Sequence, residues 1–290
     1  MNKINLTGAE TIGRNSKIIP EIRSLRFKKN IMELGLFIIE GKKAVYETLC
    51  DEAYLPNIKY IVISDEIDFN YIEKISFINS NKCVKIYIIS SDLFHKISGD
   101  EAPEGVLCVS SVPARDINSL VADGEKRMFI LLDSINDPGN LGTIIRAADN
   151  FSVSAVLLGQ NSVFEYSPKV IKASMGSFKN VISARIDEGL YGALLTEVQK
   201  NETAVVCSKI DANSTLCEAA LKVKEGRYRK IIIIGGSESH GVAGAEIKKL
   251  IGAAAKLIYA SIPNYGRNES LNLSVAIGIF CYEMAGAMRS

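Results

Sequence analysis

Residues 256–282, KLIYASIPNYGRNESLNLSVAIGIFCY, read as strand, loop and helix. Lys256–Ile262 is a short, mostly apolar run ending at Pro263, which cannot continue a sheet ladder. Asn264–Ser270 is polar and holds Gly266, the composition of a loop. From Leu271 to Met288 the chain is almost continuously apolar, broken mainly by Asn272, Ser274, Gly278 and Glu283. A helix apolar on nearly every side is usually buried. The loop ahead of it is rich in hydroxyl, amide and guanidinium groups, and free backbone N–H groups at a helix start favour electron-rich ligands. Two readings stand: a binding loop, or a core helix with Ser270 as its cap.

The same strand–loop–helix succession lies upstream. Met128–Leu132 reads as a buried strand, DSINDPGNLG (133–142) as a loop, Thr143–Phe151 as a helix and Val153–Leu158 as the next strand. That is one βαβ unit with a polar loop at the carboxyl end of its first strand, where open α/β sheets bind ligands. Ile231–Ile234 reads as a central strand buried on both faces, running into the Gly-rich loop GGSESHG (235–241). Further strands at 181–186 and 204–208, with helices near 168–175, 190–200 and 245–251, complete a domain over 127–290. Before it, 113–126 carries Pro113, Gly124 and mixed charges and reads as a linker.

Residues 1–112 alternate helix and strand and form a smaller α/β domain. Ile19, Ile22, Leu25 and Ile31 recur at roughly helical spacing, predicting a helix over 18–32 with Lys17, Arg23, Arg26, Lys28 and Lys29 interleaved. Its basic face is either ordinary solvation or a nucleic-acid surface. Strands follow at 37–39, 58–64, 84–89 and 105–110, with helices at 42–50, 71–78 and 92–97.

A chain of 290 residues fits two ordinary domains, and 47% hydrophobic with 23% charged residues is a soluble, globular balance. A net charge of +1 gives no global basic field, so any RNA surface must be a local patch. Six scattered cysteines without CxxC spacing and two histidines argue against a metal site. The N-terminus has no signal-peptide core, and Asn272, Glu283 and the glycines weigh against a membrane span, so a cytoplasmic protein is expected. There is no GxGxxG at a strand–helix turn, no GxxxxGK[ST] and no GxSxG elbow. Nothing places Asp133 beside Glu238 as a carboxylate pair, and His240 next to Gly241 reads as an exposed loop histidine.

Taken together, the three loops resemble a family. NDPGNLGTIIRAADNF (136–151), GGSESHGV (235–242) and IPNYGRNESLNLSVA (262–276) are similar, in order, to the three motifs of the SpoU/TrmH branch of SPOUT RNA methyltransferases. FIIEGKKAVYETL (37–49) and PEGVLCV (103–109) resemble, more loosely, the substrate-binding domain that precedes the catalytic domain in ribosomal-RNA members. The chain departs from the pattern at Asn264, where methionine is usual, and at Lys172, where arginine is common. The resemblance implies a small N-terminal α/β substrate-binding domain and a C-terminal SPOUT α/β domain with a trefoil knot. It implies a homodimer that uses S-adenosylmethionine to methylate a ribose 2′-oxygen of RNA, most consistently ribosomal RNA, with no metal and no membrane. Transfer RNA as substrate, or an RNA-binding protein that keeps the fold without catalysis, are the alternatives. A nicotinamide-dependent oxidoreductase is disfavoured by the missing glycine fingerprint.

By the same resemblance, Gly236, Ile262 and Leu271 contact the cofactor. Arg146 activates the 2′-hydroxyl, Asn140 and Ser270 hydrogen-bond Arg146 or the backbone, Glu238 orients the arginine or the RNA, and Asn272 holds the knot loops. Arg23, Arg26, Lys28 and Lys29 are the candidate RNA contacts.

Overall fold

The computed structural model describes residues 8–79, 84–236, 241–267 and 270–289. The chain divides into two units, one formed by residues through Ala114 plus Tyr166–Gly176, the other by Arg115–Glu165 and the chain from Ser177 on.

The first unit carries β1 (Ala9–Thr11), α1 (Ile18–Ser24), α2 (Lys28–Leu34), β2 (Leu36–Glu40), α3 (Lys42–Cys50), β3 (Ile58–Ser64), α4 (Phe69–Asn79), β4 (Lys85–Ile89), α5 (Ser91–Ile97) and β5 (Val106–Ser111). Its mixed sheet has the order β1-β4-β3-β5-β2, parallel from β1 to β3 and antiparallel from β3 to β2. The single helix expected over 18–32 is instead two. Ser24 Oγ donates to the Glu21 carbonyl at 2.7 Å, and Phe27 is extended, so the helix stops and restarts. The break lets Leu25 and Ile31 both enter the core while Arg26 turns inward, its Nη2 3.0 Å from Glu40 and 2.6 Å from the Ile97 carbonyl.

The second unit carries α6 (Ile117–Ala122), β6 (Arg127–Leu132), α7 (Pro138–Asn150) and β7 (Ala155–Leu158). The chain then contributes α8 (Pro168–Ala173) to the first unit. It returns for β8 (Ile182–Arg185), α9 (Glu188–Val198), β9 (Thr203–Ser208), α10 (Leu216–Gly226), β10 (Lys230–Gly235), α11 (Ala245–Ala253), β11 (Leu257–Ala260) and α12 (Leu273–Arg289). Helix α8 docks on β2: Val170 and Ile171 are buried, Tyr166 lies 5.0 Å from the Phe37 ring, and Lys172 pairs with Asp100 at 2.8 Å.

The six-stranded sheet is wholly parallel, in the order β11-β9-β10-β6-β7-β8. Every residue of β10 is buried, as a four-isoleucine run in the middle of such a sheet requires. Phe129, Leu131, Val205, Ile232 and Ile234 point to one face, which α6, α9 and α11 cover with Val121, Leu190, Leu194, Ile247 and Leu250. Helix α12 packs against both α7 and α10 and sets Ile277 against Gly235 on β10. Helix α6 falls inside the segment read as linker, and α10 escaped the sequence reading. A Thr215–Glu218 capping box, each side chain bonded to the other's backbone N–H, marks the start of α10 and was the available signal. Among the described residues no helix is long and apolar enough to cross a membrane.

Candidate active site

Two loops leave adjacent strand ends at the carboxyl edge of the parallel sheet. The Asp133 N–H donates to the Gly235 carbonyl at 2.9 Å, one step beyond the Leu132–Gly235 pair, so β6 and β10 stop side by side. From β6 the chain enters α7 through an Asp-Pro start. Asp137 caps the helix by accepting the Asn140 N–H at 2.7 Å, and Pro138 takes the first helical position, where a missing N–H costs nothing. The helix therefore begins five residues before the expected Thr143. Arg146 lies in its third turn, not its first, and is exposed there.

Asn140 and Asn272, far apart in sequence, meet in the fold. Asn272 Nδ2 donates to Asn140 Oδ1 at 3.0 Å. The Asn272 Oδ1 accepts from the Ser274 N–H at 2.9 Å, the Val275 N–H at 3.4 Å and the Ser274 hydroxyl at 2.6 Å. The cap of α12 is thus Asn272 rather than Ser270, and the amide groups expected to be open for a ligand are already engaged there. Downstream, Gly278 approaches Ala147, the Tyr282 and Phe151 rings stand 6.0 Å apart, and Arg289 donates to the Ser152 hydroxyl at 3.0 Å. These contacts advance together along both chains, so α7 and α12 run in the same direction and start at the same end of the sheet.

The second loop leaves β10 at Gly236. A Cβ there would fall 2.0 Å from the Gly241 carbonyl carbon and 2.3 Å from the Val242 nitrogen, so only glycine lets the returning backbone lie against it. Gly241 itself has a left-handed φ of 59° and faces open space. Glu238 lies outside the described residues. The third loop follows β11. Ser261 donates to the Ser214 carbonyl at 3.0 Å and accepts from Leu216 N–H at 2.8 Å, which ties the start of α10 to the end of β11. Ile262 is half-buried beyond it, while Ser270 is exposed and Leu271 is 47% exposed.

Sequence reasoning weighed Asp133 only as half of a carboxylate pair. The structure buries it at 3% exposure, where Oδ2 accepts the N–H groups of Ala243 and Gly244, both at 2.7 Å. The available signal was its place as the first polar residue after the strand RMFILL. Cys108, Cys207 and Cys281 are buried, and burial pushes their thiols up to about 12, which keeps them un-ionised and unreactive near neutral pH. Among the described residues no group of His, Cys, Asp and Glu is placed to hold a metal ion.

In the first unit Arg23, Lys28 and Lys29 are exposed, and Phe27 between them is 66% exposed. Arg26 is not part of that face, since its guanidinium is held by Glu40 and the Ile97 carbonyl.

Fold and site together describe a class, an α/β domain whose loops are gathered at one sheet end by a side-chain amide pair and a buried carboxylate. Residues 127–282 match the SpoU rRNA Methylase family, and the chain belongs to this family of S-adenosylmethionine-dependent RNA 2′-O-methyltransferases. Residues 15–108 match the MRM3-like substrate binding domain. The chain is 26% identical over 273 residues to the 23S rRNA (guanosine(2553)-2′-O)-methyltransferase RlmP of Bacillus subtilis, covering 94% of this chain and 97% of that protein. It is 28% identical over 205 residues to the 23S rRNA (guanosine-2′-O-)-methyltransferase RlmB of Coxiella burnetii, covering 69% and 76% of the two chains. An AdoMet-bound rRNA methyltransferase from Sinorhizobium meliloti shares the fold at a TM-score of 0.75, with 24% identity over 96% of this chain and 97% of that one.

Proposed function

We propose that this chain transfers a methyl group from S-adenosylmethionine to a ribose 2′-oxygen of ribosomal RNA. The observation that carries the reading is the Asn272–Asn140 hydrogen bond, which joins the loop before α12 to the start of the helix that bears Arg146. The residues present fit the cofactor. Gly236 leaves backbone rather than side chain at the loop surface, Gly241 faces open space, and Ile262 and Leu271 offer apolar surface for an adenine. Bound S-adenosylmethionine supplies an electrophilic methyl on a sulfonium, so an in-line approach of the ribose oxygen is the main thing the protein must arrange.

Arg146 suits that task. A guanidinium is a poor proton acceptor, so its role here is to orient the ribose or its phosphate and stabilise the developing alkoxide. The hydroxyl proton passes to water, and the S–CH3 bond breaks to leave a neutral thioether as the O–CH3 bond forms. Asn272 aligns Asn140 and the α7 start, and with them the Arg146 turn. Ser270, exposed ahead of α12, adds a hydroxyl to the polar lining in this reading. Arg23, Lys28 and Lys29, with Phe27 available for base stacking, form the RNA face of the first unit.

The working form is a homodimer. Leu271, just ahead of α12, is 47% exposed, and Val275 and Tyr282, one face of α12, are 49% and 64% exposed, apolar side chains that a second copy would cover. The trefoil knot belongs to the same reading. Its support is the sheet order, in which the chain leaves central β10, adds β11 beyond β9 and returns as α12 against β10. The RNA substrate places the activity in the cytoplasm. Incubation with methyl-labelled S-adenosylmethionine and separated ribosomal and transfer RNA should label ribosomal RNA at a ribose. Label confined to transfer RNA, label on a base, or no transfer would each overturn the assignment.

A further inference from the structure

We propose that Asp133 is a positioning residue that locks the loop after β6 to the loop after β10, and that cofactor affinity depends on this lock. The proposal rests on the functional reading above, since it assigns the Gly236 loop to S-adenosylmethionine.

Asp133 stands where the two loops diverge. Its Oδ2 takes the N–H groups of Ala243 and Gly244, at the entrance to α11, each at 2.7 Å. Its Oδ1 accepts the Ser134 hydroxyl at 3.1 Å. Ser134 has a φ of 58°, a left-handed conformation uncommon for a residue with a side chain. One buried carboxylate therefore stabilises the sharp exit from β6 toward Asn140 and Arg146 and also anchors the returning arm of the Gly236 loop. A neutral side chain unable to accept would leave two amide groups unpaired in a site with little access to water. The surroundings are built around the carboxylate. A Cβ on Gly244 would stand 2.9 Å from Asp133 Oδ1, and one on Gly159 would stand 3.2 Å from it.

The geometry separates hydrogen-bond acceptance from charge. Asp133→Asn can keep its carbonyl oxygen on the two N–H groups and turn its NH2 toward the Ser134 oxygen, whereas Asp133→Leu has similar volume and accepts nothing. Calorimetric titration of the full-length protein with S-adenosylmethionine should give a Kd within about threefold of wild type for Asp133→Asn, and at least about tenfold weaker for Asp133→Leu. Gly244→Ala, which crowds the carboxylate, should weaken binding alone but add little on top of Asp133→Leu, because both break one contact. RNA affinity, measured without cofactor, should be unchanged throughout. Wild-type cofactor affinity in Asp133→Leu, an Asn variant as impaired as Leu, or full additivity with Gly244→Ala would overturn the proposal. Should Asp133→Leu not fold, weakened binding in Gly244→Ala beside a near-normal Asp133→Asn would support the lock, and unaltered binding in Gly244→Ala would refute it. No binding by wild type would instead mean that the cofactor reading has failed.

Discussion

Arg146 sits on an exposed turn of α7, one helix face away from the Ala148 core contact and beside Ala147, which packs near Gly278 of α12. Its planar, permanently charged fork can take two acceptors at once, while a lysine offers a single mobile point charge. Arg146→Ala should therefore bind S-adenosylmethionine as wild type does and lose about a hundredfold or more in methyl transfer, the scale of removing one transition-state donor. Arg146→Lys should also be severely impaired. Single-turnover transfer beside cofactor titration separates the two effects, and a variant that lost binding rather than rate would assign Arg146 to the cofactor pocket. The resemblance of residues 136–151 to a family motif is what singles out this arginine in the sequence. The sequence did not reveal that Arg26, grouped with Arg23, Lys28 and Lys29 as a candidate RNA contact, is turned inward to Glu40, because sequence spacing does not report which cation finds a buried partner.

At the scale of elements, the parallel sheet is tied to its helices by one buried charge cluster. Lys230 on β10 is 2% exposed, lies 3.2 Å from Glu197 of α9, and donates to the carbonyls of Val121 at 2.6 Å and of Asp123, at the end of α6. Glu197 also accepts from Lys200 at 2.7 Å and from Thr203 on β9 at 2.6 Å. Burial works to raise the Glu197 pKa, but the hydrogen bonds from Lys200, Thr203 and Lys230 and the Lys230 charge outweigh it and hold the carboxyl below its usual value. A depressed carboxylate contributes stability that is fully present above its unfolded pKa, about 4.3, and is lost as pH falls through the lower folded value. Denaturant unfolding of Glu197→Gln should accordingly show a flatter acid limb than wild type and a loss near pH 7 of about 3 kcal/mol, the cost of leaving a buried lysine short of its counter-charge. An unaltered acid limb would mean that other carboxylates set it.

At the scale of the whole molecule, the exposed apolar side chains of Leu271 ahead of α12 and of Val275 and Tyr282 on it favour the homodimer proposed above. For such a dimer we predict that Arg146 of one subunit serves the cofactor loops of the other. Arg146→Ala and Gly236→Val are each expected to be inactive, the second because its side chain collides with the Gly241–Val242 backbone and deforms the loop. Mixed subunits should recover part of the activity, since a heterodimer holds one intact combination of arginine and cofactor loop. Two inactive variants that stay inactive after verified subunit exchange would show that each chain builds its own site.

What the sequence by itself determined is the class of the fold, most strands, the three loops and the family, because alternating apolar runs and loop motifs are local patterns. Helix α10 was missed, although the Thr215–Glu218 capping pattern was there to mark its start. What the tertiary structure decided is where local patterns compete or distant ones meet. Helix 18–32 breaks because Leu25, Ile31 and Arg26 each find partners inside the unit. Helix α7 starts at Pro138 because Asp137 can cap it, and Asn272 displaces Ser270 as the cap of α12. Tyr166–Gly176 leaves the domain that encodes it to pack on β2. Asn140 with Asn272, and Asp133 with Ala243 and Gly244, are neighbours only after the parallel sheet has brought the ends of its strands together. Hydrogen bonds between residues more than a hundred positions apart leave no periodicity in the chain, so only the folded sheet could place them.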